Sequence, residues 1–475
     1  MNKKLSYIDI ACFAFPVLLC LLFAVLLCSS FLLNFSLTEL KEYKTAYKLI
    51  FGLIVFLPLL QFEFFIKWNK SLWHRKLLLI SLAALLISLN YNLHYGVKVS
   101  FIFYACAAIF AIREKKLYKI SGLAYLFFAY FLLHAISLLW TNDLNNGFFM
   151  LQRYLSFVAV PLFFCCFRLT KEETNLILLV FFRAMLLFIF YSLCSWVLES
   201  RFLEISLVEW LGIKKMPLGD KPVSDSVFAW SNYTHPAYNA VGYIFVLAMS
   251  FYFFKNKITA KSINITELLF VCISTLLLAD VTQSRFGVVA WGLVMFMGLA
   301  FLLRRNKKLL AAYLTATVIA GLFFVYLGSD KISGFVSDPI RVQNFKTAFA
   351  SIEEHGILKG TGVGGMAAVM DSHELAEKLG YDYANVRLSN PHHQFIGDLM
   401  QTGIWGLGLL LAMIAYLFYY SIKNRRWLLF FFIAFFLLIM NTETPLALQK
   451  GIMYFVVIVC FLQQKYNLSL KNEKH

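Results

Sequence analysis

Ser389-Asn390-Pro391-His392-His393-Gln394-Phe395-Ile396-Gly397-Asp398 runs straight into Leu399-Met400-Gln401-Thr402-Gly403-Ile404-Trp405-Gly406-Leu407. A polar loop here enters an apolar helix. Asn390 suits an N-cap and Pro391 the first helical position. His392 then falls in the first turn, at the positive end of the helix dipole. That end disfavours further positive charge, which predicts an uncharged imidazole able to accept a proton. Gly403, Gly406 and Gly408 let the following helix pack closely into a bundle.

The rest of the chain sets this helix among many others. Of 475 residues, 60% are hydrophobic, only 15% are charged and 50 are Phe. Such a composition excludes an ordinary soluble domain and indicates a polytopic membrane protein. Apolar runs recur near 7–33, 49–66, 77–93, 97–112, 120–140, 149–167, 174–198, 236–254, 264–281, 285–303, 309–328, 393–420, 427–440 and 446–463, and a spanning helix needs roughly 20 residues. Lys3 and Lys4 ahead of the first run imitate a signal peptide. No small-residue cleavage site follows near Ser29-Ser30, so the run is kept as a span. The nine cysteines lie in apolar runs and read as packing residues.

A net charge of +17 raises nucleic acid as a partner, but its placement does not fit one. Basic clusters at Lys67/Lys70/Arg75/Lys76, Arg113/Lys115/Lys116/Lys119, Lys255/Lys257/Lys261, Arg304/Arg305/Lys307/Lys308 and Lys423/Arg425/Arg426 occupy alternate connections between apolar runs. That is the positive-inside pattern, and it sets the N-terminus in the cytoplasm. The expected fold class is all-α: a polytopic membrane helix bundle of about 12–14 spans with one long outward-facing helical loop. The chain divides into a bundle over 1–328 (the first eleven spans), a loop domain over 329–391 and C-terminal membrane helices over 392–475.

Two long segments face outward, 199–235 and 329–391. The first ends in Trp230-Ser231-Asn232-Tyr233-Thr234-His235-Pro236. The second carries Asp338-Pro339-Ile340-Arg341, an amphipathic helix through His355, the turn-rich Gly360-Thr361-Gly362-Val363-Gly364-Gly365 and a second polar helix through Leu379. Three helices are expected to start on this side with a proline in the first turn, at Pro236, Pro339 and Pro391, and a fourth starts at Ser284-Arg285. Converging helix N-termini suit an anionic ligand such as a diphosphate.

Arg285 sits where a span meets the outer surface. Arginine stays protonated and can grip phosphate oxygens bidentately, although a snorkelling role explains its place as well. Arg341 reads as a phosphate ligand or a solvated loop residue. His392 and His393 point about 100° apart on a helix, so they do not serve one metal ion together. Asp371, His373 and Glu374, upstream in the same loop, offer metal-ligating groups as a minor alternative, and no metal or cofactor is expected. His235 faces the same cavity or caps a helix. Arg153 and Arg183 read as structural. Gly360–Gly365 lacks the Gly-Lys-Ser/Thr ending of a P-loop and reads as a turn.

Taken together, Ser284-Arg285-Phe286-Gly287, then Arg341 with Gly360-Thr361-Gly362, then His392-His393-Gln394-Phe395-Ile396 with Gln401-Thr402-Gly403-Ile404-Trp405-Gly406-Leu407, resemble the O-antigen ligase/polymerase superfamily of bacterial inner-membrane glycosyltransferases. The likeness is strongest over 230–440. Family members carry Asn where His393 stands and Glu where Gln401 stands, and lack the intruding Phe286. The resemblance implies a GT-C-like fold in the bacterial inner membrane, with its loop in the periplasm. It implies a metal-independent, inverting transfer of a glycan from undecaprenyl diphosphate to an acceptor hydroxyl, as in lipopolysaccharide biosynthesis. His392 would be the base, Arg285 and Arg341 the diphosphate ligands, and His235, His393 and Gln394 accessory groups. Ligation of O-antigen to lipid A–core is favoured. A polysaccharide polymerase or a protein O-oligosaccharyltransferase shares the donor chemistry. A lipid-linked oligosaccharide transporter is the non-enzymatic alternative, for which the sequence lacks the expected internal repeat.

Overall fold

The computed structural model describes residues 55–60, 73–91, 93–202, 236–256, 265–281, 285–319, 339–370, 377 and 391–464. The expected span over 7–33, most of 49–66, the loop 203–235 with His235, and Asp371, His373, Glu374 and Asn390 lie outside the described residues. So do the side chains of Arg285 and Arg341.

The described residues are helical and contain no strand. The helices are α1 (Trp73–Tyr91), α2 (Leu93–Glu114), α3 (Gly122–Ser137), α4 (Leu144–Tyr154), α5 (Ser156–Phe164), α6 (Lys171–Phe202), α7 (Pro236–Asn256), α8 (Ile265–Val281), α9 (Arg285–Leu303), α10 (307–319), α11 (Pro339–His355), α12 (Gly365–Met370), α13 (Gln394–Lys423), α14 (Trp427–Met440) and α15 (Gln449–Gln463). Six described segments are long and apolar enough to cross a membrane: Trp73–Asn90, Gly96–Glu114, Gly122–Trp140, Leu144–Phe164, Lys171–Phe190 and Gln394–Lys423. Five shorter apolar helices accompany them. The protein is thus a helical, membrane-embedded chain.

Two compact units are present, one of residues 1–118, 166–292 and 464–475, the other of 119–165 and 293–463. In the first, α1 packs on α2 and α6, and α7 on α6 and α8. Leu82, Ala83, Leu85 and Ile87 of α1 are buried, as are Phe181 and Phe245, whose rings lie 6.0 Å apart. The Thr170-x-x-Glu173 sequence forms a reciprocal capping box: Glu173 N donates to Thr170 Oγ1 (3.1 Å) and Thr170 N to Glu173 Oε2 (2.7 Å). That same carboxylate accepts from Arg75 Nη2 at 2.8 Å.

In the second unit α3 packs on α5 and α13, α13 on α14, and α15 on α5. Phe127–Phe157 (5.3 Å) and Phe436–Phe455 (4.9 Å) mark its aromatic interior. The span expected over 149–167 starts earlier, because Asp143 caps α4 by accepting from Asn146 N, and it is interrupted at Leu155 between α4 and α5.

Two expectations for α13 are corrected. The helix begins at Gln394, not at Asn390-Pro391, because His392 adopts a left-handed φ of 49° that a right-handed helix does not accommodate. Nor is α13 continuous. Gly403 has φ 66° and ψ −159°, so α13 is two helices joined at a break, and Gly403 is the break and not a packing residue. The freed carbonyls are taken up by the glycine-rich turn: Thr361 N donates to Met400 O (2.7 Å) and Gly362 N to Gln401 O (2.9 Å), while Ile404 N donates to Ile357 O (2.9 Å). A Cβ at 403 would collide with the Leu358 carbonyl, and one at 362 would sit 2.7 Å from Thr141 Cα. Gly403→Ala is expected to destabilise the detergent-solubilised protein by about 1–3 kcal/mol through strain and clash. A thermal unfolding comparison checks this, and an unchanged Tm would contradict the break.

Candidate functional site

His392 and His393, adjacent in sequence, do different work. His393 is the N-cap of α13, its Nδ1 accepting from Ile396 N at 3.5 Å, and its ring lies edge-on to Phe345 of α11 at 5.9 Å. Burial lowers its pKa below the usual histidine value. The imidazole at the helix mouth is thus His393, whose Nδ1 must be unprotonated to cap, and not His392, for which the sequence predicts that place.

His392, turned away by its left-handed backbone, meets Glu443. His392 Nδ1 lies 3.0 Å from Glu443 Oε2. The His392 side chain is 40% exposed and that of Glu443 13%, so the ring is reachable while its carboxylate partner is shielded. Glu443 stands just past the end of α14, where its own N–H donates to Ile439 O at 2.8 Å. With Nδ1 protonated, the ring donates to the carboxylate. This arrangement fixes the orientation of the ring.

The segment carrying Glu443 is tied to α13 by a buried relay. Gln394 Oε1 accepts from Leu446 N (2.8 Å), and Gln394 Nε2 donates to Asp398 Oδ1 (2.8 Å). Tyr130 Oη of α3 donates to Asp398 Oδ2 (2.9 Å). Asp398 and Tyr130 are fully buried. Arg153 closes the other side, its Nη1 donating to Ala447 O at 2.8 Å while its guanidinium lies 4.2 Å from the Phe149 ring centre. The structural reading of Arg153 holds, and Gln394 is a strut beneath the site.

α11 and α12 close over the mouth of α13. Ala348, Ile352, Met366, Met370 and Met400 form one buried cluster, with Ile396 and Leu399 against it. Arg341 lies in the first turn of α11, which begins at Pro339 as expected. Arg285 opens α9. The amides of Thr361, Gly362 and Val363 all have partners, the last donating to Ser137 Oγ at 3.0 Å. Gly360–Gly365 is thus a docking turn, and those three amides do not cradle a phosphate.

Sequence reasoning missed Glu443, Asp398 and Tyr130. A signal was present for two of them: Asp398 and Glu443 are the only acidic residues between Pro391 and Gln464. Tyr130 is one of 24 tyrosines and carries no such mark. No protein-family model matches the chain, and no curated protein matches it.

Removing the Asp398 carboxyl leaves the Tyr130 hydroxyl and the Gln394 amide buried without their acceptor, at roughly 1–3 kcal/mol each. Asp398→Ala is therefore expected to lower Tm more than Asp398→Asn, which retains one acceptor oxygen. Equal melting curves for the two variants would show that this carboxyl does not hold the relay.

Proposed function

We propose that the protein transfers a glycan from undecaprenyl diphosphate to an acceptor hydroxyl at the outer face of the membrane, with His392 as general base. The observation that carries this reading is the His392–Glu443 pair, a reachable imidazole backed by a shielded carboxylate 51 residues away in the chain. The acceptor oxygen attacks the anomeric carbon. The bond from that carbon to the diphosphate breaks, and its electron pair leaves with undecaprenyl diphosphate. The hydroxyl proton goes to His392 Nε2, and Glu443 stabilises the resulting imidazolium. One displacement inverts the anomeric centre. The leaving group needs positive charge on its phosphates. In this reading Arg285, which opens α9, and Arg341, in the first turn of α11, are the candidate sources of that charge.

The finer assignments belong to the same proposal: a GT-C-like bundle in a bacterial inner membrane, with α11 and α12 on the periplasmic side and lipid A–core as acceptor. Positive charge on alternate connections supports that orientation. The His392–Glu443 contact agrees with it, since it needs the segments before α13 and after α14 at one end of the bundle.

The test is transfer from a defined undecaprenyl-diphosphate glycan by purified protein in liposomes. His392→Ala is expected to lower the rate by about 10²–10⁴-fold, and Arg285→Ala or Arg341→Ala by about 10²–10³-fold. Glu443→Gln should lower kcat by a smaller factor. Transfer by His392→Ala at the wild-type rate, with normal protein levels, would falsify the base assignment. Surface glycan from a deletion strain separates the acceptors: unmodified core with accumulated long lipid-linked polymer indicates a ligase, and one-repeat caps indicate a polymerase.

A further inference from the structure

The docked turn carries an apolar surface that the reaction does not use. Ile357 and Leu358, at the tip between α11 and α12, are 52% and 60% exposed. They do not stand alone. Ile357 O accepts from Ile404 N, and the Leu358 carbonyl abuts Gly403. Lys359 O accepts from Trp140 Nε1 at 3.2 Å. The tip is thereby continuous with Leu139 (85% exposed), near the end of the Gly122–Trp140 segment, and with Trp405 (64% exposed), just past the Gly403 break in α13. A contiguous patch of this kind is seldom left facing water.

Span lengths say what covers it. From Ile404 to Lys423 the second half of α13 has 20 residues (423 − 404 + 1), about 30 Å of helix, which matches the hydrocarbon thickness. Lys423 and the basic turn after it mark one boundary, so the Gly403 break falls at the other. The Gly122–Trp140 segment, 19 residues long, ends at the same place, because Trp140 meets Lys359 there. Two tryptophans at that level are the usual furniture of a membrane interface. The break is also permitted there, since both of its freed carbonyls are satisfied by protein.

We infer that the 357–359 tip, with Leu139, Trp140 and Trp405, is seated in the lipid headgroup–acyl boundary of the bilayer, so that this part of the 329–391 loop is an interfacial anchor and not a water-exposed lobe. The tip then clamps the break to a fixed depth, and the clamp is independent of any catalytic assignment.

The experiment uses full-length protein in phosphatidylcholine/phosphatidylglycerol liposomes, with an environment-sensitive fluorophore on Leu358→Cys or on Glu353→Cys, and the parent chain as labelling blank. Glu353 is an exposed residue of α11. The 358 label is expected to be quenched several-fold more by lipids with a shallow acyl-chain nitroxide than by aqueous iodide, and the 353 label the reverse. Iodide quenching at 358 equal to that at 353 overturns the inference. Trp405 offers a probe without labelling: brominated lipid should quench wild type more than Trp405→Phe, and equal quenching of the two also counts against it.

Discussion

The end of the second unit around the Gly403 break depends on satisfying two carbonyl groups. Met400 and Gln401 lose their helical partners where Gly403 interrupts α13, and an orphaned carbonyl in a low-dielectric bundle is expensive. Thr361 and Gly362 provide the missing donors. Because the donors come from the turn between α11 and α12, closing the break also brings those helices down onto Ile396, Leu399 and Met400. The break and its cover are one construction.

The histidine pair shows how a single backbone angle divides labour. His393 keeps the extended backbone of an N-cap and spends its acceptor on α13. His392, at φ 49°, is rotated off the helix line towards Glu443. A helix beginning at Pro391 would have wound both rings around its first turn. The left-handed residue instead separates a structural imidazole from a reachable one, and the Gln394–Asp398–Tyr130 relay holds the Glu443 segment beneath it.

Hydropathy made the helices legible, because burial of long apolar runs leaves few alternatives. Pro339 marked the start of α11 in the sequence, whereas the caps at Asp143 and Thr170-x-x-Glu173 set starts earlier than the hydropathy runs at 149 and 174 did. His392 stood out in the sequence as a first-turn residue, but the helix starts two residues later and its left-handed backbone sets it off the helix line. Its partner was not legible: Glu443 lies across the bundle end, and pairing 51 residues apart leaves no periodic trace. The helix start was misjudged for a related reason. Asn390-Pro391 is a sound local start, yet the contact that His392 makes with Glu443 goes with a backbone that local preference alone does not select. Gly403 read as a packing glycine because small residues in apolar helices usually are, and only the Leu358 carbonyl pressed against it gives the other meaning.

The turn that seals the break has a consequence for biogenesis. Thr361 leaves the ribosome 39 residues ahead of Met400, and Ser137, which receives Val363, is already 226 residues behind. The seal cannot form while α13 is still threading through the translocation machinery. Its first nine residues stay unsealed until they leave that machinery, although the partners at Thr361, Gly362 and Ser137 have already been made. Closure of this end of the second unit therefore follows the insertion of α13, and that is the step at which chaperoning lipid or protein would have its greatest leverage.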